Sequence, residues 1–360
     1  MALKSKKILF LHEYLELREG EIKKGHYPDN HYWGKTGMKS AGWDVEHIKT
    51  RNKNWITYIG RWLTRFTRNR LGDFHAEFKI ICKIRKVDII YSFGLHLFFV
   101  TLLRKLRFIR AKVVIWVFRE PAPTPWWQFR NLDLSRWNLA GCDGILCLTT
   151  KCEAAFKARS PKSNVKYIPW GIDIGLFFPN RKSSSDYFLA VGKTGRDYRT
   201  FLEACSQTNA NFRIIAPDWS MKNVRIPPNV TYLKTNPNIP DGTISYPDLR
   251  KWYSDCIATC IPLHGDPEDT CGYTNLLEAM AMGKPVLMTR SGALDIDIED
   301  LGIGLWIEPK DSQDWVAKIN YLEANPKEVE GMGSKALTLG TSLYNSTRFE
   351  QDVVRFLEAI

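Results

Sequence analysis

The sequence predicts an α/β protein built from two doubly wound domains, each a parallel sheet with helices on both faces. Three observations carry this. Short β-rich apolar runs alternate with longer segments of helical periodicity from end to end. The polar stretch Asn180-Arg181-Lys182-Ser183-Ser184-Ser185 has nothing to bury and divides that alternation into two series. The chain has 360 residues, 44% of them hydrophobic and 25% charged, enough for two cores of roughly 150–200 residues each.

The first series holds the strand candidates Ile8–Leu11, Val45–Ile48, Val87–Phe93, Lys112–Phe118, Gly144–Leu148 and Val165–Ile168. The second holds Tyr187–Val191, Phe212–Ala216, Val230–Leu233, Ile257–Pro262, Val286–Thr289 and Gly304–Ile307. Helical periodicity marks Tyr198–Ser206, Leu276–Met282 and Trp315–Glu323, and Ser342–Ile360 reads as a single amphipathic helix. The expected organisation is a domain over 1–180, a second over 181–341, and a C-terminal helix, 342–360, that packs back on the first domain. Open α/β sheets bind ligands at the carboxyl ends of their strands, so functional residues are expected there.

The eight cysteines show no zinc-binding spacing, and most sit in apolar runs such as Ile145-Leu146-Cys147-Leu148. There a cysteine acts as a small hydrophobe, as suits a reducing compartment. The basic N-terminus runs into an apolar stretch, Ile8–Leu11, shorter than the core of a signal peptide. No run approaches the roughly 20 apolar residues that span a bilayer. The expected location is cytoplasmic, peripheral to the inner face of a membrane.

Charge supports that location. The net charge of +12 divides into +19 over residues 1–182 and −7 over 183–360. Such asymmetry suits a polyanion, either a membrane surface or a nucleic acid. In the segment 51–70, Trp55, Ile59, Trp62 and Phe66 recur at four-three-four spacing, with Arg61, Arg65 and Arg68 on an adjacent stripe. Tryptophan flanked by arginine is the composition of a helix lying on anionic lipid; the other reading is a stripe packed on the sheet. A second basic cluster, Arg104–Arg110, lies in the same domain. No nucleic-acid motif accompanies it, so the membrane ranks above nucleic acid.

The segment richest in chemistry is Asp269-Thr270-Cys271-Gly272-Tyr273-Thr274-Asn275-Leu276-Leu277-Glu278, continuing to Gly283-Lys284-Pro285. It follows one strand candidate and precedes another. A helix should therefore start near Tyr273 and stop at Gly283. Free amides around Thr274, Asn275 and Leu276, with the positive end of the helix dipole, make an anion site suited to a diphosphate. One turn on, Glu278 is placed to reach a pair of sugar hydroxyls. The segments Tyr187–Tyr198, with Gly192, Lys193, Gly195 and Arg196, and Ile168–Pro179 complete the pattern.

These three segments resemble the retaining glycosyltransferases of the GT4-like group 1 family. The resemblance implies the GT-B fold, two Rossmann-like domains facing a cleft, and use of a nucleotide sugar, UDP favoured over GDP. In that family two glutamates eight apart flank the donor helix, the second binding the ribose. Glu278 matches the second and Thr270 stands where the first would be, with Asp266, Glu268 and Asp269 nearby. Lys193 and Arg196 occupy the places of the family's pyrophosphate-binding cations, which meet the charge growing on the leaving oxygen. The implied activity is sugar transfer with retention to an acceptor hydroxyl, lipid-linked or a polysaccharide precursor.

Several other residues join this expectation. Gly34, read in the loop after the first strand, lets backbone approach the diphosphate or acceptor; a plain turn glycine is the other reading. Arg119 and Glu120, at a strand end, are candidates for contact with the transferred sugar. His96 and His264 also follow strand ends but lack partners. No cofactor or metal is expected: Asp295-Ile296-Asp297 resembles the acidic pair of metal-dependent GT-A transferases but lies in a two-domain layout. Two alternatives stand beside the transferase, a nucleotide-sugar 2-epimerase of the same fold and a catalytically silent scaffold or partner subunit.

Overall fold

Each of the twelve apolar runs forms a strand. They are β1 (Lys7–Leu11), β2 (Asp44–His47), β3 (Ile89–Phe93), β4 (Lys112–Val117), β5 (Gly144–Cys147) and β6 (Asn164–Tyr167), then β7 (Tyr187–Val191), β8 (Phe212–Ala216), β9 (Val230–Lys234), β10 (Cys256–Ile261), β11 (Val286–Thr289) and β12 (Gly304–Ile307). The computed structural model describes residues 5–12, 15–49, 55, 58–60, 62, 74–93, 97–119, 139–179, 186–235, 244–265, 270–292 and 294–360. The polar segment 180–185 lies outside them.

The strands build two six-stranded parallel sheets, ordered β2-β1-β3-β4-β5-β6 and β12-β11-β10-β7-β8-β9. Central strands such as β5, β7 and β11 are buried along their whole length, while the edge strands β2 and β9 are half open. A parallel strand covered on both faces has no polar side, which is why these runs read as continuous rather than alternating hydrophobicity.

The helices are α1 (Leu15–Lys23), α2 (Lys35–Ser40), α3 (Phe74–Lys83), α4 (Phe98–Lys105), α5 (Thr150–Arg159), α6 (Tyr198–Cys205), α7 (Tyr246–Ser254), α8 (Tyr273–Ala281), α9 (Ser312–Ala324), α10 (Pro326–Ser342) and α11 (Ser346–Glu358). Two compact units result. One contains Met1–Gly20, His31–Pro169 and Phe349–Ile360; the other contains Glu21–Asn30 and Trp170–Arg348. In the first unit the core gathers Leu9, Ile90, Val113, Ile115 and Ile145 under α3, α4 and α5. In the second, Phe188, Phe201, Phe212 and Trp315 pack together, Phe201 and Trp315 edge to face at 4.8 Å. Six cysteines are buried, and burial raises the thiols of Cys142, Cys147, Cys205, Cys256 and Cys260 out of the reactive range.

The C-terminal segment is not one helix. α10 ends at Ser342, and α11 begins at Ser346 after a break that pairs with the Trp170–Asp173 stretch. Ile172 donates to the Tyr344 carbonyl and accepts from Ser346, both at 2.8 Å. Gly171 permits this approach, since a Cβ there would lie 2.1 Å from the Asn345 carbonyl oxygen. Asn345 then starts the new helix by accepting from the Arg348 amide at 2.8 Å.

Candidate functional site

In the second sheet β7 lies beside β10, with β8 beyond it on one side and β11 on the other. The order reverses there, so the loops leaving β7 and β10 diverge and open a crevice at the strand ends. The loop after β7 turns through Gly192 (φ 143°) and Gly195 (φ 67°) into α6, whose cap Asp197 accepts from the Thr200 amide. On the other side Gly272 (φ 88°) enters α8 in a left-handed conformation, and a Cβ on it would fall 2.8 Å from Ile261. Between the loops lies a cavity of about 300 Å³. Its apolar part comes from Ile215, Pro217, Tyr246 and Leu249, and its polar part from Lys193, Thr194, Arg196, Thr270, Thr274, Asn275 and Glu278.

The polar part begins at the start of α8, which has no side-chain cap. Tyr273 donates to the Thr270 carbonyl at 3.3 Å, and Leu276 donates to the Gly272 carbonyl at 2.9 Å. The expected free amide at Leu276 is therefore absent: its N–H closes the first helical turn and its side chain is fully buried. The amides of Thr274 and Asn275 have no acceptor among the described residues, and both residues line the cavity at the positive end of the helix. Lys193 is exposed on the same cavity and pairs with no carboxylate among the described residues.

Behind this wall runs a buried polar chain. Glu278 is 2% exposed; its Oε2 accepts from Tyr253 Oη at 2.8 Å and from Asn275 Nδ2 at 3.1 Å. Burial pushes its carboxyl up to about 7, against the opposing pull of those two donors and of Arg196. Asn275 turns its other end to Arg196, accepting from Nη2. Arg196 is itself buried, at 9% exposure. It donates to the Thr194 carbonyl at 2.9 Å and to the Val191 carbonyl through Nε at 3.4 Å and Nη2 at 3.3 Å. The guanidinium thus shapes the Gly192–Thr194 loop, while Lys193 alone of the two cations is presented openly. Tyr253, Tyr246 and the Asn275–Arg196 bond escaped the sequence reading, because nothing local marks a residue of α7 as a partner of α8.

The structure brings Gly192, Lys193, Arg196, Thr270, Tyr273, Thr274, Asn275 and Glu278 to one cavity. Gly34 and Arg119 belong to the other unit. Gly34 does not directly follow β1: α1 and a short turn at Asp29–Tyr32 intervene, and it caps α2 at φ 89°. A Cβ there would meet Val353 of α11 at 2.8 Å, so close packing is reason enough for glycine. Arg119 is exposed beyond β4, its guanidinium 5.7 Å from the Phe118 ring. Trp55 and Trp62 are helical and 72% and 63% exposed, not packed as a core stripe. Glu120, Arg61, Arg65, Phe66, Arg68, His96, Asp266, Glu268 and Asp269 lie outside the described residues. Asp297 accepts from Trp306 Nε1 at 3.0 Å and from two amides of its own turn, a structural assignment.

Residues 241–338, which include α7, α8 and Glu278, match the model of the family described as Glycosyl transferases group 1. No curated protein sequence matches the chain. Sucrose-phosphate synthase from Thermosynechococcus elongatus shares 16% identity and a TM-score of 0.69, over 98% of each chain. HepE of Anabaena in complex with UDP shares 15% and 0.63, over 98% of this chain and 100% of that one. A trehalose-6-phosphate synthase studied for glycosyl transfer with retention shares 13% and 0.65, over 98% and 99%. At these identities the likeness is one of fold, the GT-B arrangement of two parallel six-stranded sheets.

Proposed function

We propose that the chain is a glycosyltransferase of group 1 that moves a sugar from a UDP-sugar to an acceptor hydroxyl with retention; the match over residues 241–338 and the GT-B fold support this reading. One observation carries the donor assignment. Glu278 is held by Tyr253 and Asn275 on the wall of a cavity that also offers two uncapped amides and Lys193. A carboxylate fixed in this way suits two ribose hydroxyls, each charge-assisted bond contributing about 1.5–3 kcal/mol. The amides of Thr274 and Asn275 and the Lys193 ammonium suit a diphosphate. UDP is favoured because structures of the similar HepE hold UDP and UDP-glucose.

In the reaction the bond from the anomeric carbon to the diphosphate oxygen breaks, and one to the acceptor oxygen forms on the same face. The acceptor's proton passes to the departing phosphate. Lys193 and the helix start meet the charge that grows there, so the reading calls for no metal. The acceptor is a hydroxyl on a lipid-linked or polysaccharide precursor, reached at a membrane surface. Support for that surface is the +19 charge of residues 1–182 and the exposure of Trp55 and Trp62. Among the described residues no helix is long and apolar enough to cross a membrane.

The test is a panel of nucleotide sugars screened by thermal stabilisation, followed by slow hydrolysis of the best donor. Stabilisation by a UDP-sugar with release of UDP is the expected result. Binding without any turnover would instead favour a silent subunit, in line with Thr270 at the position of the family's first glutamate. No stabilisation by any nucleotide sugar would sink the donor assignment.

A further inference from the structure

A second cavity, of about 800 Å³, opens in the first unit at the amino-terminal ends of its strands, where Lys112 begins β4 and Asn164 begins β6. Substrates of parallel sheets sit at the opposite, carboxyl ends, so this cavity belongs to no sugar-transfer geometry. Its lining is cationic: Arg104, Lys105, Arg107, Arg110, Lys112 and Lys162 stand with one acidic side chain, Asp143. That carboxylate is already engaged. Arg104 binds it with two bonds of 2.8 and 2.7 Å, Lys112 approaches to 3.3 Å, and the Val113 amide donates at 2.9 Å. Arg107, Arg110 and Lys162 meet no carboxylate among the described residues. A concave surface of this kind concentrates anions.

The turn between α4 and β4, which supplies Arg107 and Arg110, also carries an apolar tip. Arg107 takes a left-handed φ of 63°, where a helix end usually has glycine. The turn is closed by the Arg107 amide on the Arg104 carbonyl at 3.0 Å and by the Phe108 amide on the Leu103 carbonyl at 2.9 Å. Ile109 turns into the core, while Leu106 and Phe108 stand 52% and 75% exposed among the cations. A hydrogen-bonded turn that holds a phenylalanine out in water, ringed by arginines, fits a ligand with an apolar phase beneath an anionic layer. A nucleic acid offers the charge without that phase.

We propose that the α4–β4 turn and the cavity behind it form a docking site for anionic phospholipid. Leu106 and Phe108 enter the acyl region, and a headgroup phosphate sits among Arg107, Arg110 and Lys162. This rests on the reading that the enzyme works at a membrane, and assigns the contact to residues other than Trp55 and Trp62.

The experiment is co-sedimentation of the full chain with vesicles of phosphatidylcholine alone or mixed with phosphatidylglycerol, at about 0.1 M salt. Three variants are compared: Phe108→Ser; the charge reversal Arg107→Glu, Arg110→Glu, Lys162→Glu; and Trp55→Ser with Trp62→Ser. Thermal unfolding and UDP binding serve as controls for folding. Wild type is expected to sediment with the mixed vesicles only. Each lost cation weakens binding about fivefold, so loss of three costs roughly a hundredfold, and the three added carboxylates make the charge reversal cost more than that. Phe108→Ser should cost about tenfold, with folding and UDP binding unchanged in both. If binding is lost only in the Trp55 and Trp62 variant, the membrane reading stands and this site is wrong. Wild type that ignores both kinds of vesicle overturns the two together. Binding of single-stranded oligonucleotide but not vesicles, abolished by the charge reversal, reassigns the cavity to nucleic acid. Vesicle release by inorganic phosphate, with Phe108→Ser behaving as wild type, leaves an anion site and overturns the lipid.

Discussion

The guanidinium of Arg196 occupies the space that a side chain on Gly192 would need: a Cβ there would lie 2.4 Å from Nη2 and 2.5 Å from Nε. The guanidinium cannot simply swing away, because the carbonyls of Val191 and Thr194 and the side chain of Asn275 hold it. The backbone at Gly192, φ 143°, also disfavours any L side chain. Gly192→Ala should therefore destabilise the second unit by about 1–3 kcal/mol and weaken UDP binding. Thermal unfolding and UDP titration check this. A variant with wild-type midpoint and affinity would show that the pair does not shape the cavity.

The two cations of this loop should behave differently on truncation. Lys193 is exposed, so Lys193→Ala should leave the unfolding midpoint in place and lower kcat more than donor affinity, its charge being needed most in the transition state. Arg196 is buried, and removing it strands the Val191 and Thr194 carbonyls and Asn275. Arg196→Ala should lower both the midpoint and UDP affinity, by about 1–3 kcal/mol of stability. Equal midpoints for the two variants would refute this division of roles.

Glu278 gives a pH signature with a definite sign. Its carboxyl is raised by burial from 4.5 to about 7, so the folded protein favours the protonated form below about pH 7. That contribution to stability is complete below the unfolded value and is lost as pH rises through about 7. Glu278→Gln should remove the loss, leaving the variant more stable than wild type at alkaline pH by up to about 3 kcal/mol, with little difference at acid pH. Ribose hydroxyls donate best to the ionised form, so uridine affinity of the wild type should increase through pH 7 and that of Glu278→Gln should stay flat and weaker. Parallel affinity profiles for the two proteins would remove Glu278 from the ribose site.

If, as proposed, Lys193 and the amides of Thr274 and Asn275 supply the positive charge at the diphosphate, transfer and donor hydrolysis should persist in excess EDTA. Loss of activity on chelation, restored by Mg²⁺ or Mn²⁺, would contradict that assignment.

Much of this molecule follows from local pattern. The twelve strands were readable because buried parallel strands are short, apolar and bounded by turn residues. Helix α8 was readable because it lies between two strands and Gly283 ends it: the Gly283 amide bonds the Met280 carbonyl and the Lys284 amide the Ala279 carbonyl, a glycine stop as expected. Glu278 could be placed on that helix from spacing alone.

Pairings between distant segments were not readable, for a physical reason. Periodicity reports which face of an element is buried, not what covers it. Tyr253 reaches Glu278 only once α7 and α8 pack together, and Asn275 reaches Arg196 only because β7 lies beside β10. The same limit explains Gly34, whose neighbour Val353 comes from the far end of the chain, and the division of 342–360, where pairing of Ile172 with Asn345 wins over continued helix. It also explains the basic cavity: Arg104–Arg110 is visible as a cluster in sequence, but Lys162 and the already neutralised Asp143 join it only when β4, β5 and β6 align.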